Sequence, residues 1–162
     1  MLIIGEKINT TKKSINAGVE ARDKDLIQNE AKKQFEAGAN VIDVNTGTRI
    51  KTEVEDMEWL VNVIQEVVDC PLCIDSPNPL ALEAGLKLCK KKAIVNSITG
   101  EKDRIEAIMP MVKEHGASVV ALCMDEAGMP KTGEDRLRIA KKIIDMIVDY
   151  GISMDDIYFD PL

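Results

Sequence analysis

Carboxylate and amide side chains stand at or just past the ends of short apolar runs along this 162-residue chain. They are Glu6, Asn9, Asp43, Asn45, Asp75, Asn96, Asp125 and Asp160. By the two-residue period of a strand, Asp75 shares a face with Cys73 and Asp160 shares one with Tyr158. If those faces point to one mouth, two carboxylates and the Asn96 amide surround a space with few cations. Such a mouth suits a neutral, planar ring that carries several N–H donors.

A pterin ring has the edge that this set could recognise. Its 2-amino group and N3–H are adjacent donors, which one carboxylate can accept together. An asparagine both donates and accepts, so it can bind a mixed edge of the same ring. A phosphate fits badly, because its charge would meet the carboxylates without compensating cations.

Six near-continuous apolar runs predict strands that are buried on both faces, as in a parallel sheet. The runs are Leu2–Gly5, Val41–Asn45, Leu72–Asp75, Ala93–Ser97, Ser118–Met124 and Ile157–Asp160. Five helices are predicted between them, with start and stop signals in the sequence. The signals are a capping box from Thr52 to Glu55, a cap at Asn78 before Pro79, and glycines at Gly38, Gly116 and Gly151.

Alternating strands and helices are compatible with a doubly wound open sheet or with a β/α barrel. The first βα turn, GEKINTTKKS, contains neither a G-x-G-x-x-G pattern nor a P-loop. Polar residues at the ends of many successive strands favour the barrel, whose active site is built at that rim. A closed barrel needs eight strands. We therefore expect residues 1–162 to be the N-terminal portion of a single TIM (β/α)8 barrel domain of the α/β class, with the remaining strands absent.

Composition and charge argue against several classes of partner. The net charge is −7 and the longest basic cluster is the KKK at Lys90–Lys92, which argues against nucleic acid. The sequence has neither a long uncharged apolar run nor a secretory signal, so we expect a cytoplasmic protein without a membrane contact. The CPLC motif at Cys70–Cys73 leads into a strand rather than a helix, so we expect inert thiols and no metal site.

Five motifs, taken in order, resemble the pterin-binding methyltransferase family. They are LIIGEKIN at the N-terminus, MEWLV at 57–61, CIDS at 73–76, NS at 96–97 and YFDPL at 158–162. The sequence is most similar to methyltetrahydrofolate:corrinoid/iron–sulfur protein methyltransferase. It also resembles the folate module of cobalamin-dependent methionine synthase and, more distantly, dihydropteroate synthase.

The resemblance implies a dihydropteroate synthase-like TIM barrel in which Asp75, Asn96 and Asp160 hydrogen-bond the pterin ring. The implied substrate is tetrahydrofolate or methyltetrahydrofolate. The implied reaction moves a methyl group between N5 of methyltetrahydrofolate and the cobalt of a corrinoid (cobalamin), which a partner protein carries. The enzyme would therefore be a methyltransferase of one-carbon metabolism.

The resemblance also assigns residues around that ring. It places Glu6 and Asn9 near the substrate mouth, and it gives Asp43, at the tip of the second strand, a supporting role. The family's asparagine nearest N5 would come from a strand beyond residue 162. We therefore expect no catalytic residue within these 162 residues.

Two other functions stay open at this point. The first is pterin condensation of the dihydropteroate synthase type, although INTTKKS lacks the Pro-Asp-Ser-Phe part of that enzyme's first loop, N-x-T-P-D-S-F. The second is a non-catalytic pterin-binding or assembly fragment. Six strands leave two sheet edges unpaired, which favours association, so we expect a homo-oligomer, in the simplest case a dimer.

Overall fold

The computed structural model describes residues 1–162 of the chain. By their internal contacts the residues form two units, Met1–Ala93 and Ile94–Leu162. Each unit is built from parallel strands that alternate with helices. None of the helices has the length and the apolar composition needed to cross a membrane.

The first unit contains three strands and four helices. They are β1 (Ile4–Asn9), α1 (Lys13–Glu20), α2 (Lys24–Glu36), β2 (Val41–Asn45), α3 (Glu53–Gln65), β3 (Leu72–Asp75) and α4 (Pro79–Leu88). Strand β2 pairs in parallel with β1 on one side and with β3 on the other. The carboxyl ends of all three strands therefore lie along one edge.

The second unit contains three strands and two α-helices. They are β4 (Ile94–Ile98), α5 (Lys102–Glu114), β5 (Ser118–Leu122), α6 (Gly133–Ile147) and β6 (Ile157–Asp160). Strand β5 pairs in parallel with both β4 and β6. Two short 3₁₀ turns, Val148–Tyr150 and Met154–Asp156, lead from α6 into β6.

The predicted strands Val41–Asn45, Leu72–Asp75 and Ile157–Asp160 are confirmed with their bounds, and the fourth and fifth are displaced by one or two residues. The helix end signals are also confirmed in part. Asn78 accepts a hydrogen bond from the Leu80 backbone N–H, and the three predicted terminal glycines all have positive φ, from 58° to 99°. Only glycine adopts that backbone conformation without a steric cost.

The predicted bounds of the first strand, Leu2–Gly5, are wrong. Strand β1 continues through two polar residues, and its register against β2 shifts between Gly5 and Ile8. The Lys7 backbone N–H donates instead to the Gln34 side-chain oxygen of α2 at 2.8 Å. A bulge of this kind interrupts the apolar alternation, so the sequence pattern stops where the strand does not.

The single helix expected before β2 is two helices. Arg22 has a φ of 54°, which ends the first helix, and the Asp23 carboxylate then accepts the Leu26 backbone N–H at 3.0 Å to begin the second. The predicted capping box at Thr52 is also wrong. The Thr52 hydroxyl lies 2.6 Å from a carboxylate oxygen of Asp56 and donates to it, so it does not cap the helix.

Strands β2 and β3 pack tightly against the helices of the first unit. Val44 and Ile74 are fully buried. A Cβ atom built on Gly85 of α4 would lie 2.8 Å from Cγ2 of Ile74 and 3.1 Å from Cγ of Met57. The absence of a side chain at Gly85 therefore lets α4 approach β3 closely, and it shows that Ile74 faces the helices.

We expect Gly85→Val to lower the free energy of unfolding by about 2 kcal/mol or more, because added methyl groups overpack this contact. Chemical denaturation followed by circular dichroism measures the change. The matched control is Gly133→Val at the start of α6, where a new Cβ would meet no atom within 4 Å. The control should stay within about 0.5 kcal/mol of wild type. Equal losses in both variants would contradict the packing assigned to Gly85.

Candidate functional site

The carboxyl ends of the first three strands form a level row of polar residues. Asn9 is the register partner of Asn45, and Asn45 is the register partner of Asp75. Because Ile74 faces the helices, strand alternation directs Cys73 and Asp75 to the opposite face. The side chain of Asp75, which the sequence predicts to bind the pterin ring, therefore points away from the helix layer.

Asp43 of β2 is the register partner of Cys73 of β3, which is fully buried. Burial raises the pKa of its thiol well above the ordinary value, and the charge and hydrogen bond of Asp43 raise it further. The charges of Asp75 and Glu6 act on the pKa in the same direction. Of the predicted site residues, Asp43 and Asp75 therefore lie beside Cys73 on one face, while Glu6 contributes only its charge.

A hydrogen-bonded pair closes the ends of β2 and β3. The Asn45 amide nitrogen donates to a carboxylate oxygen of Asp75 at 2.6 Å. The next residue, Ser76, donates from its hydroxyl to Glu53 at 2.6 Å and accepts the Asn78 backbone N–H at 2.9 Å. Ser76 and Glu53 are both buried. The chain that follows Asp75 is therefore held on both sides.

Asn9 has a local structural role. Its side-chain oxygen accepts the Thr11 backbone N–H at 2.9 Å and the Thr11 hydroxyl at 2.7 Å, as in a turn that leads toward α1. Glu6 has an exposed side chain on the irregular part of β1, and the Lys12 ammonium group lies 3.3 Å from the Glu6 backbone oxygen. The role at a substrate mouth that we expected for both residues stays a prediction.

The second unit places Asn96 and Asp160 on a common face. Asn96 is the register partner of Val120, which in turn pairs with Tyr158. Asp160 lies two residues beyond Tyr158 and therefore shares its face. The opposite face carries side chains that are fully buried, namely Val95, Val119 and Ala121.

The backbone around these two residues is held by further hydrogen bonds. The Arg104 guanidinium donates twice to the Ser97 carbonyl, at 2.8 and 3.0 Å, directly after Asn96. A carboxylate oxygen of Asp160 accepts the Leu162 backbone N–H at 2.8 Å. Burial raises the pKa of the nearby Cys123 thiol, and the charge of Asp160 adds to the effect.

The cysteines do not form a reactive pair. Cys70, Cys73, Cys89 and Cys123 are all free. Burial raises the pKa of each thiol, to about 12 for Cys89. Since only the thiolate is a good nucleophile or metal ligand, these surroundings disfavour redox chemistry. No group of three or more His, Cys, Asp or Glu side chains is arranged to hold a metal ion.

Sequence reasoning gave Asn45 no role in the site, and it missed an ionic cluster below the rim. Asp56 is fully buried and pairs with Arg49 from the loop after β2 and, at 2.8 Å, with Arg22. Arg49 also donates to the Asn16 side chain at 3.0 Å. Asn45 does stand at a predicted strand tip, but its contact with Asp75 depends on register, which one sequence does not display.

Comparison with solved structures identifies the class of fold. Dihydropteroate synthase from Vibrio fischeri matches 99% of the chain with a TM-score of 0.70 and 18% identity, and the match covers 61% of that structure. The synthase from Xanthomonas albilineans matches equally well, with 19% identity and 59% coverage. The chain therefore has the TIM barrel fold of the dihydropteroate synthase type, of which its six strands form a portion.

Sequence comparison then identifies the family. The model for pterin binding enzymes matches residues 5–162. Methylcorrinoid:tetrahydrofolate methyltransferase of Eubacterium limosum is 36% identical over 99% of the chain, and methionine synthase of Mycobacterium tuberculosis is 30% identical over all of it. The chain belongs to the pterin binding enzyme family. It spans 60% of the length of the first relative and 14% of the second.

We expect Cys73 to resist alkylation in the folded protein, because its thiol is fully buried and its raised pKa lowers the thiolate fraction. Iodoacetamide labelling at pH 8, mapped by mass spectrometry, should modify Cys73 much more slowly in native protein than in urea. Asp43→Asn removes one of the charges that raise the pKa, so it should speed the labelling. Asp145→Asn, at an exposed position of α6, is the matched control. Equal labelling rates at Cys73 in the native and unfolded states would contradict the acidic, buried environment.

Proposed function

We propose that the protein binds a reduced folate by its pterin ring and moves a methyl group between N5 of methyltetrahydrofolate and the cobalt of a corrinoid. A partner protein carries that corrinoid. Asp75, Asn96 and Asp160 are assigned to the pterin ring, while Asp43 and Glu6 complete the acidic surroundings. The enzyme is a methyltransferase in its full-length form.

The family and two of its members support this reaction. The chain belongs to a family of pterin binding enzymes, and a member with 36% identity is named for methyl transfer between a methylcorrinoid and tetrahydrofolate. Methionine synthase, at 30% identity, is also a methyltransferase by its chemistry. We therefore propose the same type of reaction, substrate and partner for this protein.

The observation that carries the proposal is the register of β2 and β3, which places the Asp43 and Asp75 carboxylates beside Cys73 near the carboxyl ends of the strands. Their charges favour a neutral ligand rich in N–H donors over an anionic one. A carboxylate that accepts two neighbouring N–H groups binds a planar ring both tightly and in one orientation. Asp75 meets this need, since it lies at the strand end and faces away from the helices.

Methyl transfer from N5 breaks a carbon–nitrogen bond of a tertiary amine. Such an amine is a poor leaving group, so N5 must gain a proton or a strong hydrogen bond as the bond breaks. The corrinoid of the partner supplies the cobalt centre that exchanges the methyl group. The residues of this chain bind and orient the pterin ring, so that N5 is presented to the partner in a fixed position.

Dihydropteroate synthase-type condensation is the weaker alternative. The solved synthases share the fold at 18–19% identity, whereas the methyltransferase relatives reach 30–36%. The segment INTTKKS also forms a turn in which Asn9 is hydrogen-bonded to Thr11, without the synthase's Pro-Asp-Ser-Phe.

The cytoplasmic location, the homo-oligomer and the non-catalytic assembly role stay predictions.

Calorimetric titration of the full-length protein with methyltetrahydrofolate tests the assignment of the ring ligands. We expect Asp75→Ala and Asp160→Ala each to weaken binding by about 10- to 100-fold, because a hydrogen bond to a charged group contributes about 1.5–3 kcal/mol. Asp145→Ala, at an exposed position on α6, is the matched control and should bind as wild type does.

Unchanged affinity in both Asp75→Ala and Asp160→Ala would contradict the pterin site. Methyl transfer is followed separately, with a methylated corrinoid protein and tetrahydrofolate as substrates. An assay with aminobenzoate and pterin pyrophosphate should give no condensation product. Condensation without methyl transfer would favour the synthase-type reaction instead.

A further inference from the structure

Asn45 is held at both ends of its side-chain amide. Its nitrogen donates to Asp75 at 2.6 Å, and its oxygen accepts the Gly47 backbone N–H at 3.0 Å. The residue is half-buried at the last position of β2, level with Asp75 of β3. Neither the family motifs nor the ligand set described above includes it.

The orientation of this amide follows from the chemistry of its neighbours. A backbone N–H can only donate, so the atom that faces Gly47 must be the Asn45 oxygen. The amide nitrogen is then directed at Asp75, where it meets a carboxylate that accepts. Gly47 itself sits close to the next loop, since an added Cβ would lie 3.3 Å from Cδ of Pro77. The loops after β2 and β3 thus fix the donor in one direction.

The Asn45 amide donates to a carboxylate that lies in acidic surroundings. Asp43 of β2 is the register partner of Cys73, and Asp75 lies two residues further along β3 on the same face. Neighbouring carboxylates disfavour each other's ionised form, and a hydrogen bond to a carboxylate favours it. The Asn45 amide, which donates to Asp75, therefore favours the ionised form of that carboxylate.

We propose that Asn45 is a positioning residue for pterin binding, which orients the Asp75 carboxylate and keeps it ionised as the acceptor of the ring's N–H groups. This inference rests on the proposed function, because the ligand of Asp75 is the pterin ring. Asn45 acts through Asp75 and does not touch the ring. Its loss should change binding of the ring and the ionisation of Asp75 together.

Asn45→Asp is the most informative variant, since it has nearly the same shape and can still accept the Gly47 N–H. It places two carboxylates at the separation where they share one proton. Above the upper apparent pKa of this pair both groups are charged, so methyltetrahydrofolate should bind at least about tenfold more weakly than to wild type. Below that pKa the pair holds one proton, so the substituted side chain can again donate a hydrogen bond to the Asp75 carboxylate. The ratio of the variant's Kd to the wild-type Kd should therefore fall as pH is lowered from 8 to 5.5.

Two further variants separate positioning from a structural effect. Asn45→Ala should bind weakly with no recovery at low pH, because it offers no donor at any pH. Asn62→Asp adds the same charge at an exposed position of α3, where the asparagine donates only to the Glu58 backbone oxygen. It should bind as wild type does. Thermal unfolding of each full-length variant checks that it is folded.

A measurement without folate keeps this inference separate from the proposed function. The carboxyl ¹³C resonance of Asp75 reports its ionisation, and Asn45→Ala should move its titration midpoint to higher pH than in wild type. A moved midpoint in a protein that binds no methyltetrahydrofolate would support the positioning role and overturn the proposed function. An unmoved midpoint, or an Asn45→Asp variant that binds as wild type does across the pH range, would overturn the positioning role.

Discussion

The parallel register of β2 with β3 is the constraint on which the candidate site of the first unit depends. It places Asn45 level with Asp75, and it puts Asp43 beside Cys73 one pleat below. Because side chains alternate along a strand, a shift of one residue would turn Asp75 toward the helices and Ile74 toward the site. The burial of Ile74 against α4 opposes that shift, since Gly85 lets the helix approach Ile74 closely and a carboxylate turned there would be desolvated. Hydrophobic packing on one face of the strands therefore determines the chemistry on the other.

The loops that follow the strands are held by bonds of their own. Thr48 of the loop after β2 donates to the Thr10 hydroxyl at 2.8 Å, which joins it to the loop after β1. Arg49 in the same loop pairs with Asp56, whose carboxylate is fully buried. A buried charge is tolerated only where it is paired, so this cluster ties the loop to α3 at a defined place. The rim residues thus stand on an ordered base, which a site that recognises a flat ring requires.

Sequence reasoning succeeded where one physical effect dominated the pattern. Strands β2, β3 and β6 are short apolar runs buried by packing, and their bounds could be predicted to the residue. Strand β1 could not, because its bulge is stabilised by the side chain of Gln34, which is 27 residues from Lys7. The Thr52 hydroxyl was expected to accept a backbone N–H, but it is turned instead toward the Asp56 carboxylate, to which it donates. The candidate ligands were predictable as strand-end residues, whereas the role of Asn45 depends on which strand lies beside it.

The polar groups of the chain are also better suited to binding the proposed pterin ring than to transferring a proton to its N5 atom. The solved synthases share the fold of this chain at 18–19% identity, and the fold by itself does not decide the reaction, so the reaction must be argued from the site. The acidic strand ends fit the binding of the ring, because a carboxylate can accept the ring's N–H groups but an ionised one has no proton to give to N5. The carboxylates near Cys73 also disfavour an anionic ligand at this end of the strands, since further negative charge would be unfavourable there. In the proposed pterin site, the first unit therefore supplies acceptors, and Asn45 is the donor that orients one of them, Asp75.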